Sequence, residues 1–211
     1  MERLNRLGVF GGTFDPPHIG HLILAAEARY QLSLMRVLWV LTPDPPHKQG
    51  VSITSWTVRR ELVRAAIGDD DSFEFSEVDI ARPPPHYAYE TLRILRARHK
   101  DMELVYVMGG DSLRDLPTWE RPLDFLAACD AVGVMRRPGD QVDLPSLENQ
   151  LPGISRKVRF VDAPLIEISG SDIRRRAALN EPIRYYLPER VYRLICEGNL
   201  YRQGGNPIRT G

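Results

Sequence analysis

The sequence predicts one α/β domain built on a doubly wound parallel sheet. Short apolar runs recur at 7–10, 37–41, 104–108, 131–135 and 158–161. Stretches with apolar residues at helical spacing lie between most of them, and glycine or proline follows several of the runs. Buried strands alternating with helices call for right-handed crossovers and hence parallel pairing.

The run 7–10 stops at Gly11-Gly12, and Ile19, Leu22, Ile23, Ala26 and Tyr30 follow on one helical face. This predicts strand, glycine turn, helix. The run 37–41 ends in a proline-rich loop over 42–46, and Leu62, Val63 and Ala66 mark the apolar side of a helix over 59–66. Three consecutive prolines up to Pro85 force an extended connection before a helix over 88–98 carrying Leu92, Ile94 and Leu95. The strand over 104–108 closes at Gly109-Gly110, and that over 131–135 closes at 136–139. Residues 138–156 are polar, contain proline and are poorly periodic, so a surface excursion is expected there. After a strand over 158–161 come a helix over 172–179 and a last helix over 188–197, ended by Gly198. Residues 1–202 are expected to form the domain, with a small C-terminal helical part. The tail 203–211 has no apolar anchor and is expected to be disordered.

At 211 residues one continuous core can be buried. A formal net charge of +0 supplies no long-range field to gather a polyanion, which argues against nucleic acid as a partner. Cys129 and Cys196 are far apart and have no neighbours at metal-ligand spacing, so no disulfide framework and no protein-held metal is expected. The first residues mix Arg and Glu, and no apolar run reaches bilayer length. The expected compartment is the cytoplasm, without a membrane partner.

The segment from Gly11 through Gly12, Thr13, Phe14 and Asp15 to His18, Gly20 and His21 joins the first strand to the first helix. Ligands of parallel sheets bind where strand C-termini meet helix N-termini. Adjacent glycines let backbone approach a phosphate, and free N–H groups at a helix start favour an anion. His18 and His21, three apart, can project from one face of the first turn toward one phosphate chain, with Gly20 keeping that face open. A glycine pair alone would be only a turn, and the histidines ordinary caps; the whole string in this context favours the functional reading. Lys48 follows the stiff Pro45-Pro46 pair and can aim an ammonium at phosphate, or be a plain loop lysine. Ser169 and Ser171 precede Arg174, so a hydroxyl-capped helix start and a guanidinium can meet a polyphosphate together, whereas Arg175 and Arg176 read as a solvated face. Asp111 can accept from a ribose hydroxyl or cap the next turn. Asp15 can cap a turn or orient the phosphate loop. Trp39 and Trp56 read as structural, His99 as a surface residue.

These motifs resemble the nucleotidyltransferases marked by His/Thr-x-Gly-His, and specifically bacterial nicotinate mononucleotide adenylyltransferases, over nearly the whole chain. Gly11 to His21 matches the family's opening, Pro45-Pro46-His47-Lys48 its second loop, Gly109-Gly110-Asp111-Ser112-Leu113 its Gly-x-Asp-Ser-Leu, and Trp119 its ring-stacking tryptophan. Ile168 to Arg174 and Tyr186-Leu187-Pro188 resemble its closing segments. The resemblance implies a Rossmann-like nucleotidyltransferase fold and transfer of AMP from ATP to nicotinate mononucleotide, with Mg²⁺ carried mainly by the ATP phosphates. It implies His18, His21, Lys48 and Arg174 as catalytic groups. It implies Gly11, Gly12, Thr13, Phe14, His18, Gly20, His21, Gly109, Asp111, Ser169, Ser171 and Arg174 at ATP. Asp15, His47, Lys48, His86, Tyr87 and Trp119 are implied at the acceptor. One segment departs: the family's Ser-Tyr-Thr-x-x-Thr-Leu is His86-Tyr87-Ala88-Tyr89-Glu90-Thr91-Leu92 here. The threonine expected near the nicotinate carboxylate is Ala88, so recognition falls to backbone N–H groups, His86 or another group. Nicotinamide mononucleotide, pantetheine phosphate or a polyol phosphate are the alternative acceptors. His18-Ile19-Gly20-His21 also spells the signature of class I aminoacyl-tRNA synthetases, but that family's lysine-rich loop and room for a tRNA-binding domain are lacking. A noncatalytic nucleotide sensor is the third alternative.

Overall fold

The computed structural model describes residues 5–45, 52–136, 142–164 and 167–202. Among these, strands β1 (Arg6–Gly12), β2 (Arg36–Leu41), β3 (Phe73–Ser76), β4 (Glu103–Gly109), β5 (Ala131–Arg136) and β6 (Val158–Asp162) form one sheet. All its pairings are parallel and the order is β3-β2-β1-β4-β5-β6. The chain steps outward from β1 to β3 and then returns to lay β4 against the other side of β1. That reversal is the crevice where such sheets bind ligands.

Side-chain alternation sorts the strands onto two faces. Leu7, Val9, Leu38, Val40, Leu104 and Tyr106 point into one core, and Phe10, Val37, Trp39, Leu41, Val105 and Val107 into the other. Burial on both faces is why these strands read as continuous apolar runs. Helix α1 (Ile19–Gln31) covers the second face with Leu24, Ala25 and Ala28. Helix α2 (Trp56–Ile67) begins earlier than its apolar pattern predicts, because the Ser55 side chain accepts from Val58 N–H at its start. Helices α3 (Ala88–Arg98), α4 (Gly110–Asp115) and α5 (Pro122–Ala128) cover the first face with Leu92, Leu95, Leu113 and Phe125.

The surface excursion expected over 138–156 is corrected. Residues 142–156 contain α6 (Leu144–Gln150) and most of α7 (Ile154–Lys157), which bury Leu147 and Ile154, with Leu151 buried between them. The Asp143 carboxylate caps α6 by accepting from Ser146 N–H. Trp39 is fully buried as expected, whereas Trp56 is an exposed side chain with Arg60 over its ring. Helices α8 (Gly170–Ala178) and α9 (Glu189–Glu197) form the C-terminal helical part, packing Ile173, Ala177, Val191 and Ile195 against Leu62 and Ala66 of α2. The tail 203–211 lies outside the described residues. Among the described residues no helix is long and apolar enough to cross a membrane.

Candidate active site

Gly11 and Gly12 are the last residues of β1 rather than a turn, and packing requires them. A Cβ on Gly11 would stand 2.6 Å from the Tyr106 hydroxyl, and one on Gly12 would stand 2.8 Å from the Phe14 ring. The bend itself comes at Phe14, whose φ of 48° lies in the left-handed region. Phe14, expected at the nucleotide, is instead a core side chain. It packs edge-on to Phe10 and His21 and tilted against Trp39, so only its backbone can face a ligand. Thr13 is half-buried beside it.

His18 caps α1 in an extended conformation, and its backbone N–H donates to His21 Nδ1 at 3.1 Å. That bond leaves Nε2 as the donor nitrogen of a neutral His21 ring. The two imidazoles stack with centroids 3.7 Å apart and planes 29° apart, so they stand together as the spacing predicts. A Cβ on Gly20 would come within 3.2 Å of His18 Nδ1; the glycine makes room for the His18 ring. Burial lowers the His18 pKa to about 4. The ring is therefore neutral at pH 7, able to take part in hydrogen bonds but carrying no standing charge.

Asp15 is the node that joins this bend to the C-terminal helices. Its Oδ2 accepts from Thr54 N–H at 3.2 Å and its Oδ1 from the Tyr201 hydroxyl at 2.8 Å. Its carbonyl accepts from Arg174 Nη1 at 2.6 Å. The acceptor contact expected of Asp15 is corrected accordingly: the side chain is buried and both of its oxygens are committed within the protein. Gly170 permits the approach of α8, because a Cβ there would meet the Asp15 carbonyl at 2.7 Å. Ser169 caps α8 by accepting from Asp172 N–H, and its hydroxyl lies 3.0 Å from that of Ser171. The start of α8, with Arg174 on it, is thus tied to the histidine bend. Arg175 and Arg176 pair with Asp172 and Glu181, as a solvated face would.

Gly109 caps α4 and has open space where a Cβ would stand, so its backbone stays approachable. Asp111 is exposed in the first turn and pairs with Arg114; the cap alternative read for it is taken by Gly109. Trp119 is half-buried with edge contacts to Phe125 and Tyr106. Tyr87 precedes α3 and stacks on Tyr89. His86 is buried, its Nε2 3.3 Å from the Arg82 carbonyl. His47 and Lys48 lie outside the described residues.

The site also has members that local sequence patterns did not single out. Arg59, buried on the apolar side of α2, donates to the carbonyls of Thr54, Thr13, Thr42 and Pro43. It ties the loops after β1 and β2 to the start of α2. A charged residue in register with Leu62, Val63 and Ala66 was the available signal. Asp79 is buried and accepts from Arg82 and Thr91, and Arg82 also pairs with Glu90. A larger cavity of about 290 Å³, lined by Ile183, Ile195 and Cys196 among others, shares no residue with the histidine bend. Among the described residues no group of three or more His, Cys, Asp or Glu is arranged to hold a metal.

The family model described as cytidylyltransferase-like matches residues 9–176. The matched stretch opens in β1 and closes in α8, and Arg174 of α8 bonds the carbonyl of Asp15 in the bend that follows β1. This fold and site define a nucleotidyltransferase of the cytidylyltransferase-like class. A "Probable nicotinate-nucleotide adenylyltransferase" of Thermomicrobium roseum is 44% identical over 199 residues, covering 94% of this chain and 92% of the relative. One of Exiguobacterium sibiricum is 41% identical, covering 93% and 98%. The chain belongs to the nicotinate-nucleotide adenylyltransferase family. The fold is also that of Plasmodium falciparum nicotinic acid mononucleotide adenylyltransferase complexed with NaAD, at a TM-score of 0.76 and 18% identity, covering 93% of this chain and 97% of that one.

Proposed function

We propose that the protein transfers AMP from ATP to nicotinate mononucleotide, releasing pyrophosphate and forming nicotinate adenine dinucleotide for NAD biosynthesis. The observation that carries this reading is the stacked His18–His21 pair, linked through Asp15 to Arg174, in a chain 44% identical to a relative named for that reaction. A phosphate oxygen of the acceptor attacks the α-phosphorus in line. The attacking oxygen is already anionic, so alignment and charge stabilisation suffice and no protein nucleophile is needed.

In this proposal His21 and the neutral His18 donate hydrogen bonds to the phosphate chain. Arg174 and Lys48 supply permanent positive charge, and Ser169 and Ser171 at the α8 N-terminus hold the leaving phosphates. Gly109 and Asp111 lie beside the adenosine ribose, and Trp119 offers its free face to the pyridine ring. ATP enters as its Mg²⁺ complex. Asp15 positions the bend rather than touching the acceptor. The proposed compartment is the cytoplasm.

The test is to incubate the protein with ATP, Mg²⁺ and nicotinate mononucleotide and to measure dinucleotide and pyrophosphate. Pantetheine phosphate and nicotinamide mononucleotide run in parallel. Dinucleotide from the nicotinate substrate is expected, and its absence beside turnover of pantetheine phosphate would overturn the acceptor. His21→Ala is expected to lower kcat by about 10²–10³-fold, the usual cost of one positioned donor; parental turnover would remove His21 from the mechanism.

A further inference from the structure

We infer that Tyr201 is a positioning residue for phosphate binding: its hydroxyl holds the Asp15 carboxylate and thereby leaves the Arg174 guanidinium free to face the phosphate chain. The inference rests on Arg174 serving the ATP phosphates, as proposed above. Tyr201 contacts no substrate in this role and acts through Asp15.

The chain takes an unusual path to bring Tyr201 there. Beyond α9 the N–H groups of Gly198, Asn199 and Leu200 donate in turn to the carbonyls of Leu194, Cys196 and Ile195, which closes the helix end. Asn199 and Tyr201 have φ of 46° and 67°, in the left-handed region. Asparagine tolerates that region, but for a residue as bulky as tyrosine it is an outlier that surrounding contacts must impose. Those contacts are present. Leu200 is buried in the cluster of Ile173, Val191 and Ile195, Tyr201 packs against the same cluster, and its hydroxyl donates to Asp15 Oδ1 at 2.8 Å. Burial, reinforced by the Asp15 charge, pushes the Tyr201 pKa up, so the phenol keeps its proton and remains a donor.

Asp15 needs that donor because its carboxylate is buried beside two cations, Arg59 and Arg174. Its Oδ2 accepts from Thr54 N–H, and among the described residues only Tyr201 bonds Oδ1. Arg59 cannot take the place of the phenol, since four loop carbonyls pin its guanidinium. Arg174 can. Its Nη1 donates to the Asp15 carbonyl at 2.6 Å and stands 3.9 Å from Oδ2, and its side chain is 31% exposed and has room to turn. A carboxylate deprived of the phenol would draw this guanidinium into the forked pairing that arginine and carboxylate favour. A buried oxygen left without a donor is costly enough to drive the turn. Donors gained by Asp15 are donors lost to the phosphates. One hydroxyl near the end of the described chain thus decides which anion Arg174 serves.

The test compares the full-length parent with Tyr201→Phe, which keeps the ring and its packing. With nicotinate mononucleotide saturating, kcat/KM for MgATP is expected to fall about tenfold, as for one lost hydrogen bond. The KM for nicotinate mononucleotide should stay within about twofold, since its site shares no partner with Tyr201. Adding Tyr201→Phe to Arg174→Met should change kcat/KM by less than about twofold, because the group it acts through is gone. An unchanged kcat/KM for MgATP in Tyr201→Phe, an equal rise in both KM values, or a second loss as large on top of Arg174→Met overturns the inference. Parental turnover of Arg174→Met would overturn the reading of Arg174, and this inference with it. Calorimetric titration with MgATP alone makes the comparison without an acceptor: the Kd should rise in Tyr201→Phe and no further in the double variant. That pattern, beside a parent that forms no dinucleotide from nicotinate mononucleotide, would refute the proposed acceptor and uphold the role of Tyr201.

Discussion

His18 illustrates how the position of a single residue changes its chemistry. Placed at the start of α1 with its ring against Gly20 and His21, it is desolvated, and its pKa drops from 6.5 to about 4. The unfolded chain then takes up a proton at higher pH than the folded one. The stability contribution of neutral His18 is fully present above pH 6.5 and is lost as pH falls from 6.5 toward 4. A shift of this size corresponds to roughly 3 kcal/mol. Urea unfolding at pH 7 and at about pH 4.5 should show a larger loss of stability in the parent than in His18→Asn, which cannot take up that proton. Equal losses would mean that His18 is hydrated in solution. Asp15 and Ser169 stand at the junction of element ends, within segments whose composition already marked them. Tyr201 could not be read that way, because its meeting with Asp15 spans 186 residues and is decided by how α9 docks.

At the scale of elements, the part played by Arg59 follows from its four carbonyl partners. Thr13 follows β1, Thr42 and Pro43 follow β2, and Thr54 leads into α2, so one guanidinium sets the spacing of two loops that border the site. Burial lowers its pKa while the charge of Asp15 opposes that shift. Arg59→Lys keeps the charge but cannot span four acceptors, and should cost about 2–4 kcal/mol through carbonyls left unpaired. Calorimetry measures that loss, and steady-state kinetics should show the KM for ATP rising with it. A destabilised variant with unchanged KM would make the clamp purely structural. The same reasoning explains which elements were legible. Strands β1, β2, β4 and β5 are buried on both faces and announce themselves as apolar runs. Strand β3 is Phe73-Glu74-Phe75-Ser76 at the sheet edge, too short and too mixed to stand out. Helices α4 to α7 run four to seven residues, too short for a helical period to repeat. Among the expected site residues, Phe14 and Asp15 were recognised by motif, but burial leaves only the backbone of Phe14 to face a ligand and commits the Asp15 carboxylate to Thr54 and Tyr201.

For the whole molecule, the question is whether the C-terminal helices are an appendage or part of the same folding unit. Helix α2 answers through its two sides. Val63 packs in the core with Trp39 and α1, while Leu62 and Ala66 pack in the cluster of Ile173, Val191 and Ile195. Loosening α9 therefore loosens α2, and with it the sheet face that α1 covers. Helix α8 belongs to the same cluster and carries Arg174 to the Asp15 carbonyl, so the site also depends on this packing. Ile195 is 2% exposed, and Ile195→Ala should cost about 2–5 kcal/mol, as large-to-small core changes do. If residues 5–202 form one cooperative unit, far-ultraviolet circular dichroism and the fluorescence of Trp39, isolated by Trp56→Phe and Trp119→Phe, will report a single coincident transition with Ile195 and with Ile195→Ala, shifted together. Separate transitions, with Trp39 reporting later than the helices, would divide the molecule and make the link from α9 through α8 to the histidine bend a local contact rather than a property of the fold.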